Sequence, residues 1–360
     1  MSTQEDSPPL SEAAEPALPV QPVPAPIPQP ETYPFKFTGH GGEYFRIWIV
    51  NLLLIVLTLG IYAAWAKVRR EQYFHRNLVL DNSGFDFHGE PKAILVGQSI
   101  ALVIGIALAV GNTVGPYVYA VILLVLLPAI PWLVVRAMRF RAHNTSYRGL
   151  RFSFHGTYRD AAIAFLGYGV LAIVTLGILF PAFYRQMRLF ILNNLRYGSA
   201  EFRCEASLKA FYFIFAMPVL AVLGLIASLV IFSAMGGAML ALLPFLVFVA
   251  FLGFQVFLGP YIRVKTSNLV WNNTKLDSHS LESSLTVLRY TKIVFLNLIG
   301  IILTFGLFWP WAQVRIARYR ASCLSLHTVQ ALDAIVAGEL IKAPAVGDAA
   351  SDMFDIDVAL

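Results

Sequence analysis

The sequence predicts an all-α polytopic membrane protein with short β-hairpins on its cytoplasmic face, arranged as a tandem internal repeat of two and a half copies. Three observations carry that expectation. Of 360 residues, 58% are hydrophobic and only 13% charged, about half the charge content of an ordinary soluble domain. The charges are bunched, so long runs have no ionisable side chain to face water. Groups of residues also recur at fixed offsets along the chain.

Taken from the amino end, half of the 20 prolines fall between Pro8 and Pro34. Such a Pro-, Glu- and Ala-rich composition favours an extended, disordered tail over 1–33, and without a basic stretch leading into an apolar one it is not a signal peptide. The membrane domain follows over 34–338. Its charge-free runs are 47–66 (20 residues), 93–135 (43), 161–184 (24), 210–262 (53) and 293–314 (22). One crossing needs about 20 apolar residues. The two long runs can therefore hold two helices each, turning at Gly111 to Pro116 and at Met235-Gly236-Gly237. Hydropathy alone counts seven helices. The segment 339–360, with Asp348, Asp352, Asp355 and Asp357, reads as an acidic solvated tail.

The repeat is legible without gaps. Phe35, Phe37, Gly39, Thr58, Leu59, Gly60, Asn77 and Phe85 recur at an offset of 117 as Phe152, Phe154, Gly156, Thr175, Leu176, Gly177, Asn194 and Phe202. At a further offset of 129, Asn144, Thr145, Thr175 and Gly177 meet Asn273, Thr274, Thr304 and Gly306. The units lie at about 35–143, 152–272 and 281–324. Each opens on F-x-F-x-G or its remnant, whose period of two is that of a strand. Turn residues Asp81-Asn82-Ser83-Gly84 and Asn144 to Gly149 precede these strands, as in small hairpins.

Placing the 27 Lys and Arg residues selects a topology. With seven crossings they split 12 to 15 between the two sides, almost no positive-inside bias. With only the two long runs crossing, as hairpins, all 27 fall on one side and both termini are cytoplasmic. The charge count predicts this second arrangement, with the medium runs re-entrant or strongly kinked, against the competing reading of seven plain crossings. Gly60, Gly177 and Gly306 supply the bend, and Pro181 and Pro310 follow closely. Past each bend the chain is basic and aromatic, which suits the headgroup layer. Arg69, Arg70, Arg185, Arg188, Arg315 and Arg318 are the expected contacts with anionic lipid headgroups.

The same repeat nominates a polar intramembrane centre. Asn51 and Asn297 sit seven residues before the threonines of T-[LF]-G, and intramembrane amides seek partners. Asn51, Thr58, Thr175, Asn297 and Thr304 are expected to line a shared polar centre or, alternatively, to serve only interhelical packing. No Asp, Glu, Lys, Arg or His lies within the five runs, which weakens ion-coupled transport. His40, His88 and His155 recur beside glycines but lack clustered ligand spacing, and Cys204 and Cys323 are isolated, so no metal is expected. No catalytic motif occurs; no enzyme activity and no cofactor are expected. The net charge of +6 is read as membrane electrostatics rather than nucleic-acid binding.

The stretch FKFTGHGGEYFRIWIVNLLLIVLTLGIYAAWAKVRREQYFHRN, its echo RFSFHGT with TLGILFPAFYRQMRLFILNN, and the closing TFGLFWPWAQVRIARYR resemble the YjgN-type bacterial inner-membrane proteins, a family defined by a domain of unknown function. The resemblance spans roughly Tyr33 to Gly338 and extends to the acidic end. It implies a multi-pass protein of the bacterial cytoplasmic membrane and brings no substrate, cofactor or catalytic residue. Transport of a small solute or lipid is the expected activity; a non-catalytic scaffold or sensor, binding anionic lipid and an unknown cytoplasmic protein, is the alternative.

Overall fold

The computed structural model describes residues 31–234, 242, 244–245, 247–248, 253–328 and 336. Residues 1–30, the Met235-Gly236-Gly237 turn and the acidic end 339–360 lie outside the described residues.

Ten short strands alternate with five helical excursions. β1 (Glu31–Phe37) leads into α1 (Gly41–Leu57) and α2 (Ala63–Arg76), and the chain returns as β2 (Leu78–Leu80). After β3 (Ser83–Phe87) come α3 (Pro91–Val114), α4 (Pro116–Leu126) and α5 (Ala129–His143), then β4 (Thr145–Tyr147). The third excursion leaves β5 (Leu150–Phe154) through α6 (Tyr158–Ala161), a π-helical stretch, α7 (Tyr168–Val174) and α8 (Phe180–Asn193), and ends in β6 (Leu195–Tyr197). The fourth joins β7 (Ala200–Cys204) to β8 (Thr274–Leu276) through α9 (Leu208–Ala234) and α10 (Gly259–Asn272). The fifth joins β9 (His279–Ser283) to β10 (Leu324–Thr328) through α11 (Val287–Leu303) and α12 (Trp309–Ser322).

The strands form a closed antiparallel barrel in which β10 returns to β1. Glu31 pairs with Thr328 and Pro34 with Ser325, so the seam joins the two ends of the described chain. The expected all-α architecture is therefore corrected: the centre of the molecule is a ten-strand barrel, and short hairpins on a helical protein underdescribe it. Sequence periodicity could not show this. Four of the strands have three residues, too few for an alternation to register, and each has one of its two partners on the far side of a helical excursion.

Antiparallel pairing fixes which rim each connection occupies. All five excursions open from one rim, where Phe37 pairs with Leu78, Phe87 with Thr145, Phe154 with Leu195, Cys204 with Thr274, and Ser283 with Leu324. One backbone hydrogen bond closes each neck: Thr38 to Asn77, His88 to Asn144, His155 to Asn194, Glu205 to Asn273 and Ser284 to Cys323, all at 2.8–2.9 Å. At four of the five necks an Asn ends the last helix, its amide donating to the carbonyl four residues back. The opposite rim carries the tight turns. Asp81 and Asn82, and Arg148 and Gly149, have positive φ at both central positions, the form whose twist matches the flanking strands.

A girdle of side chains fills the barrel. Phe35, Phe85, Phe152, Phe202 and Leu281 from the odd strands lie opposite Leu80, Tyr147, Tyr197, Leu276 and Leu326 from the even ones, all within one apolar cluster. Neighbouring phenylalanines stack at 6.3, 6.4 and 6.5 Å between centroids. Tyr147 and Tyr197 donate their hydroxyls to the carbonyls of Leu80 and Tyr147, which satisfies the only polar atoms the girdle adds. Outside the barrel the last helix of each excursion packs against the odd strand that follows: α2 on β3, α5 on β5, α8 on β7, α10 on β9 and α12 on β1. Each also packs on the first helix of the next excursion, and α12 closes that ring on α1.

Candidate membrane interface

The T-[LF]-G triplets make the sharpest local structures. Thr58, Thr175 and Thr304 each end a helix, donating Oγ to a carbonyl four residues back at 2.7 Å and accepting an N–H four residues ahead at 2.9–3.2 Å. The next two residues, Leu59-Gly60, Leu176-Gly177 and Phe305-Gly306, all have positive φ. Glycine tolerates that conformation and the bulky residue before it does so at some cost. The chain then reverses, so α1 lies against α2, α7 against α8 and α11 against α12. The apex side chains are almost bare: Leu59 and Leu176 are 95% exposed and Phe305 99%.

Bare apolar apices need a non-aqueous surrounding. The same holds for α3 and α9, whose windows Pro91–Val114 and Leu208–Ile231 are long and apolar enough to cross a membrane. α4 and α5 meet the test together across a 45° bend, placed at Leu127-Pro128. Among the described residues, two helices or up to three spans qualify, not the seven that hydropathy counts.

The expected polar centre does not assemble around the threonines, which sit at three separate apices bonded to their own helices. Asn297 is buried and packs by hydrogen bonds, its amide donating to the Ala312 carbonyl and its oxygen accepting from Arg315 at 3.2 Å. Asn51, in the matching position, is equally buried, but its Oδ1 has no partner among the described residues. The repeat explains the contrast: Arg69 occupies the place of Arg315, and in the first excursion it lies over the Tyr62 ring at 5.7 Å.

The six arginines expected at headgroups divide. Arg69, Arg70 and Arg188 lie over rings of their own helix or its start, Tyr62, Phe74 and Tyr184. Arg315 holds Asn297, while Arg185 and Arg318 donate to the carbonyls of Ala206 and Gly39 at 2.7 and 2.9 Å. Arg139 and Asn268 make the corresponding bonds to Gly156 and Leu285. These staples fasten the last helix to the start of the next excursion in four of the five units. Sequence reasoning missed them because the donors differ in type and Arg185 stands one turn away from the others' position.

Two grooves lie next to residues of the repeat and the barrel. An apolar one of about 470 Å³ runs along the third hairpin between Gly169, Ile173, Leu176 and Phe183. A polar one of about 450 Å³ lies on the barrel beside Asp86, His88, Ser146, Arg148 and Arg151. Burial pushes the Asp86 carboxyl up, but hydrogen bonds from Arg76 and the Phe87 N–H, with the Arg76 charge, hold it below its ordinary value. Arg148 pairs with Asp81 at 2.6 Å, and His88 meets Ser146 at 2.8 Å. Asp86, His88, Ser146, Arg148 and Arg151 thus each have a polar partner, within the groove or beside it. No group of three or more His, Cys, Asp or Glu gathers among the described residues.

A family model described as a bacterial protein of unknown function (DUF898) matches residues 32–353. Inner membrane protein YjgN of Salmonella typhimurium strain LT2 is 25% identical over 345 residues, covering 79% of this chain and 86% of the relative. The protein of the same name from Escherichia coli strain K12 is 32% identical over 127 residues, 34% of this chain and 31% of the relative. No solved structure matches.

Proposed function

The chain belongs to the DUF898 family of bacterial proteins of unknown function, and from that premise we propose that it is a multi-pass scaffold of the bacterial inner membrane that holds a cytoplasmic partner. In this reading the second and fourth excursions cross as hairpins, and the first, third and fifth enter one leaflet and return. The barrel then lies on the cytoplasmic face with its turn rim turned away from the membrane. Both termini are cytoplasmic, and the tandem repeat becomes an alternation of deep and shallow hairpins around one axis.

The observation that carries this reading is the segregation of the connections, with every helical excursion on one rim and every tight turn on the other. A body anchored by one rim leaves the other free to dock a protein. The packed girdle within the barrel offers no conduit between them, and the polar residues nominated for a transport pathway sit apart, so transport has less to rest on than the scaffold.

Single cysteines introduced into a Cys204→Ala, Cys323→Ala background test the arrangement. Thr113→Cys, beside the α3–α4 turn, is expected to react with an impermeant maleimide added to whole cells. Ser199→Cys and Ser278→Cys, on exposed turns of the other rim, are expected to react only after permeabilisation. External labelling of either serine position overturns the topology. A photocrosslinker placed at Ser278 is expected to give a discrete protein adduct in cells; adducts with lipid alone would overturn the scaffold role.

A further inference from the structure

From Phe180 onward the described helices carry a one-sided charge. α8 to α12 contain ten Lys and Arg residues and no Asp or Glu. Three of these bases share a helical register. Counted back from the strand each helix feeds, Arg263 stands eleven residues before Thr274, Arg188 seven before Leu195 and Arg320 four before Leu324. Steps of four and three lie on one helical face.

Side-chain contacts link the three helices at this level. The Tyr184 hydroxyl accepts from Arg188 at 2.8 Å and meets Thr266 Oγ at 3.4 Å, which links α8 to α10 within a turn of Arg263. On the other side of α10, Val264 shares an apolar cluster with Tyr319 of α12. Arg263 and Arg320 adjoin these two residues in sequence. None of the three has a carboxylate within ion-pair distance among the described residues. The protein packed around Arg320 displaces water and pulls its guanidinium below its ordinary value, although the side chain keeps access to solvent. The Tyr290 hydroxyl opposes this, and the charges of Arg263 and Arg188 add to the lowering. Three like charges held together without a counter-ion are unfavourable until an anion joins them.

We propose that Arg188, Arg263 and Arg320 form a binding site for a phosphate-bearing anion. Guanidinium forks match tetrahedral oxyanions in geometry as well as charge. Two sources share that chemistry: the headgroup of an anionic lipid, since the helices lie on the membrane side of the barrel, and free phosphate from solution. The inference stands on the cluster and does not depend on a protein partner at the turn rim.

The full chain in nanodiscs tests the site. The probes are inorganic phosphate added to phosphatidylcholine discs, and discs in which part of the phosphatidylcholine is replaced by phosphatidic acid. One probe is expected to raise the melting temperature. A response to inorganic phosphate identifies the free ion, and a response to phosphatidic acid alone identifies the headgroup. Arg263→Gln and Arg320→Gln are each expected to weaken the apparent affinity about tenfold, as the loss of one charge-assisted contact implies, and Arg320→Lys by less. Arg151→Gln, a base on the barrel that meets His143 instead, is expected to leave binding unchanged. The proposal is overturned if neither probe shifts the melting temperature, if both Gln variants bind within twofold of the parent, or if Arg151→Gln loses as much as they do. The melting temperature of each variant without probe separates lost binding from lost folding.

Discussion

At the scale of single residues, the hairpin apices concentrate the local cost of the fold. Thr304 Oγ accepts from the Phe308 N–H, which the reversal leaves without a backbone partner, and donates to the Gly300 carbonyl, which also accepts the Thr304 N–H. Thr304→Val keeps the shape and removes both bonds; it is expected to cost about 1–2 kcal/mol, measured as a fall in melting temperature, with Thr175→Val behaving alike. Gly306, at φ +92, has open space around a would-be Cβ, so Gly306→Ala tests backbone strain alone, at about 1 kcal/mol. In the barrel, burial holds the His279 imidazole below its ordinary value, and Asp277 pulls the other way less strongly. The unfolded chain therefore takes up the proton first as pH falls. Stability is lost below the ordinary histidine value of about 6.5 and levels off once the folded form is also protonated. The melting temperature of the parent is expected to fall more between pH 8 and pH 5 than that of His279→Gln; equal slopes would remove His279 as a contributor. The residues at these apices were legible from sequence because they recur at constant offsets. The unpartnered oxygen of Asn51 was not, although Asn51 recurs as Asn297, because it depends on Arg69 turning to Tyr62; nor was the partner of Arg185, which stands one turn away from the other donors.

At the scale of elements, the shallow and deep excursions differ in how soon charge returns. In the first hairpin Lys67 follows Gly60 by seven residues, in the third Arg185 follows Gly177 by eight, and in the fifth Arg315 follows Gly306 by nine. At 1.5 Å per residue these place a base within about 10–14 Å of the apex, less than half the roughly 30 Å of a hydrocarbon core. α3 runs 24 residues before its turn, about 36 Å. A tryptophan replacing Leu176 is thus expected to be quenched best by lipids brominated deep in the acyl chain, near the bilayer midplane, and one replacing Val114 by lipids brominated near the headgroup end in the opposite leaflet. Equal quenching depth for the two would end the distinction between hairpin classes. Sequence made this contrast visible through run lengths of 20–24 against 43 and 53 residues, because hydropathy records what a helix faces. Strands were less visible. β4 reads Thr-Ser-Tyr and β8 Thr-Lys-Leu, segments with no apolar alternation, whose place is set by pairing across an excursion rather than by their own composition.

For the whole molecule, the decisive property is closure. An open ten-strand sheet of such short strands would expose two edges and leave the aromatic girdle wet on one side; joining β10 to β1 removes both defects. Composition cannot reveal closure, because the seam joins residues almost 300 apart and its contacts are ordinary. Thr32 Oγ lies 2.9 Å from His327 Nδ1, and His327 Nε2 lies 2.8 Å from Glu282, so one polar chain ties β1, β10 and β9 together. The repeats at 117 and 129 align every second excursion, since deep hairpins match deep and shallow match shallow; the strand pairs common to all five are too short to align. Closure is open to direct measurement. Thr32 and His327 are register partners, and cysteines at the two positions, in the Cys204→Ala, Cys323→Ala background, are expected to form an intramolecular disulfide when membranes are treated with a mild oxidant. The crosslinked chain would run faster on a denaturing gel, and digestion would yield one peptide joining the two segments. Because the bond closes a loop of nearly the full described length, it is expected to stabilise the barrel by about 2–5 kcal/mol. A pair at Thr32 and Ser280, separated by the width of β10, serves as the control and should stay reduced. If the first pair stays reduced, or links only one molecule to another, the barrel is open at this seam and the girdle must be covered in some other way.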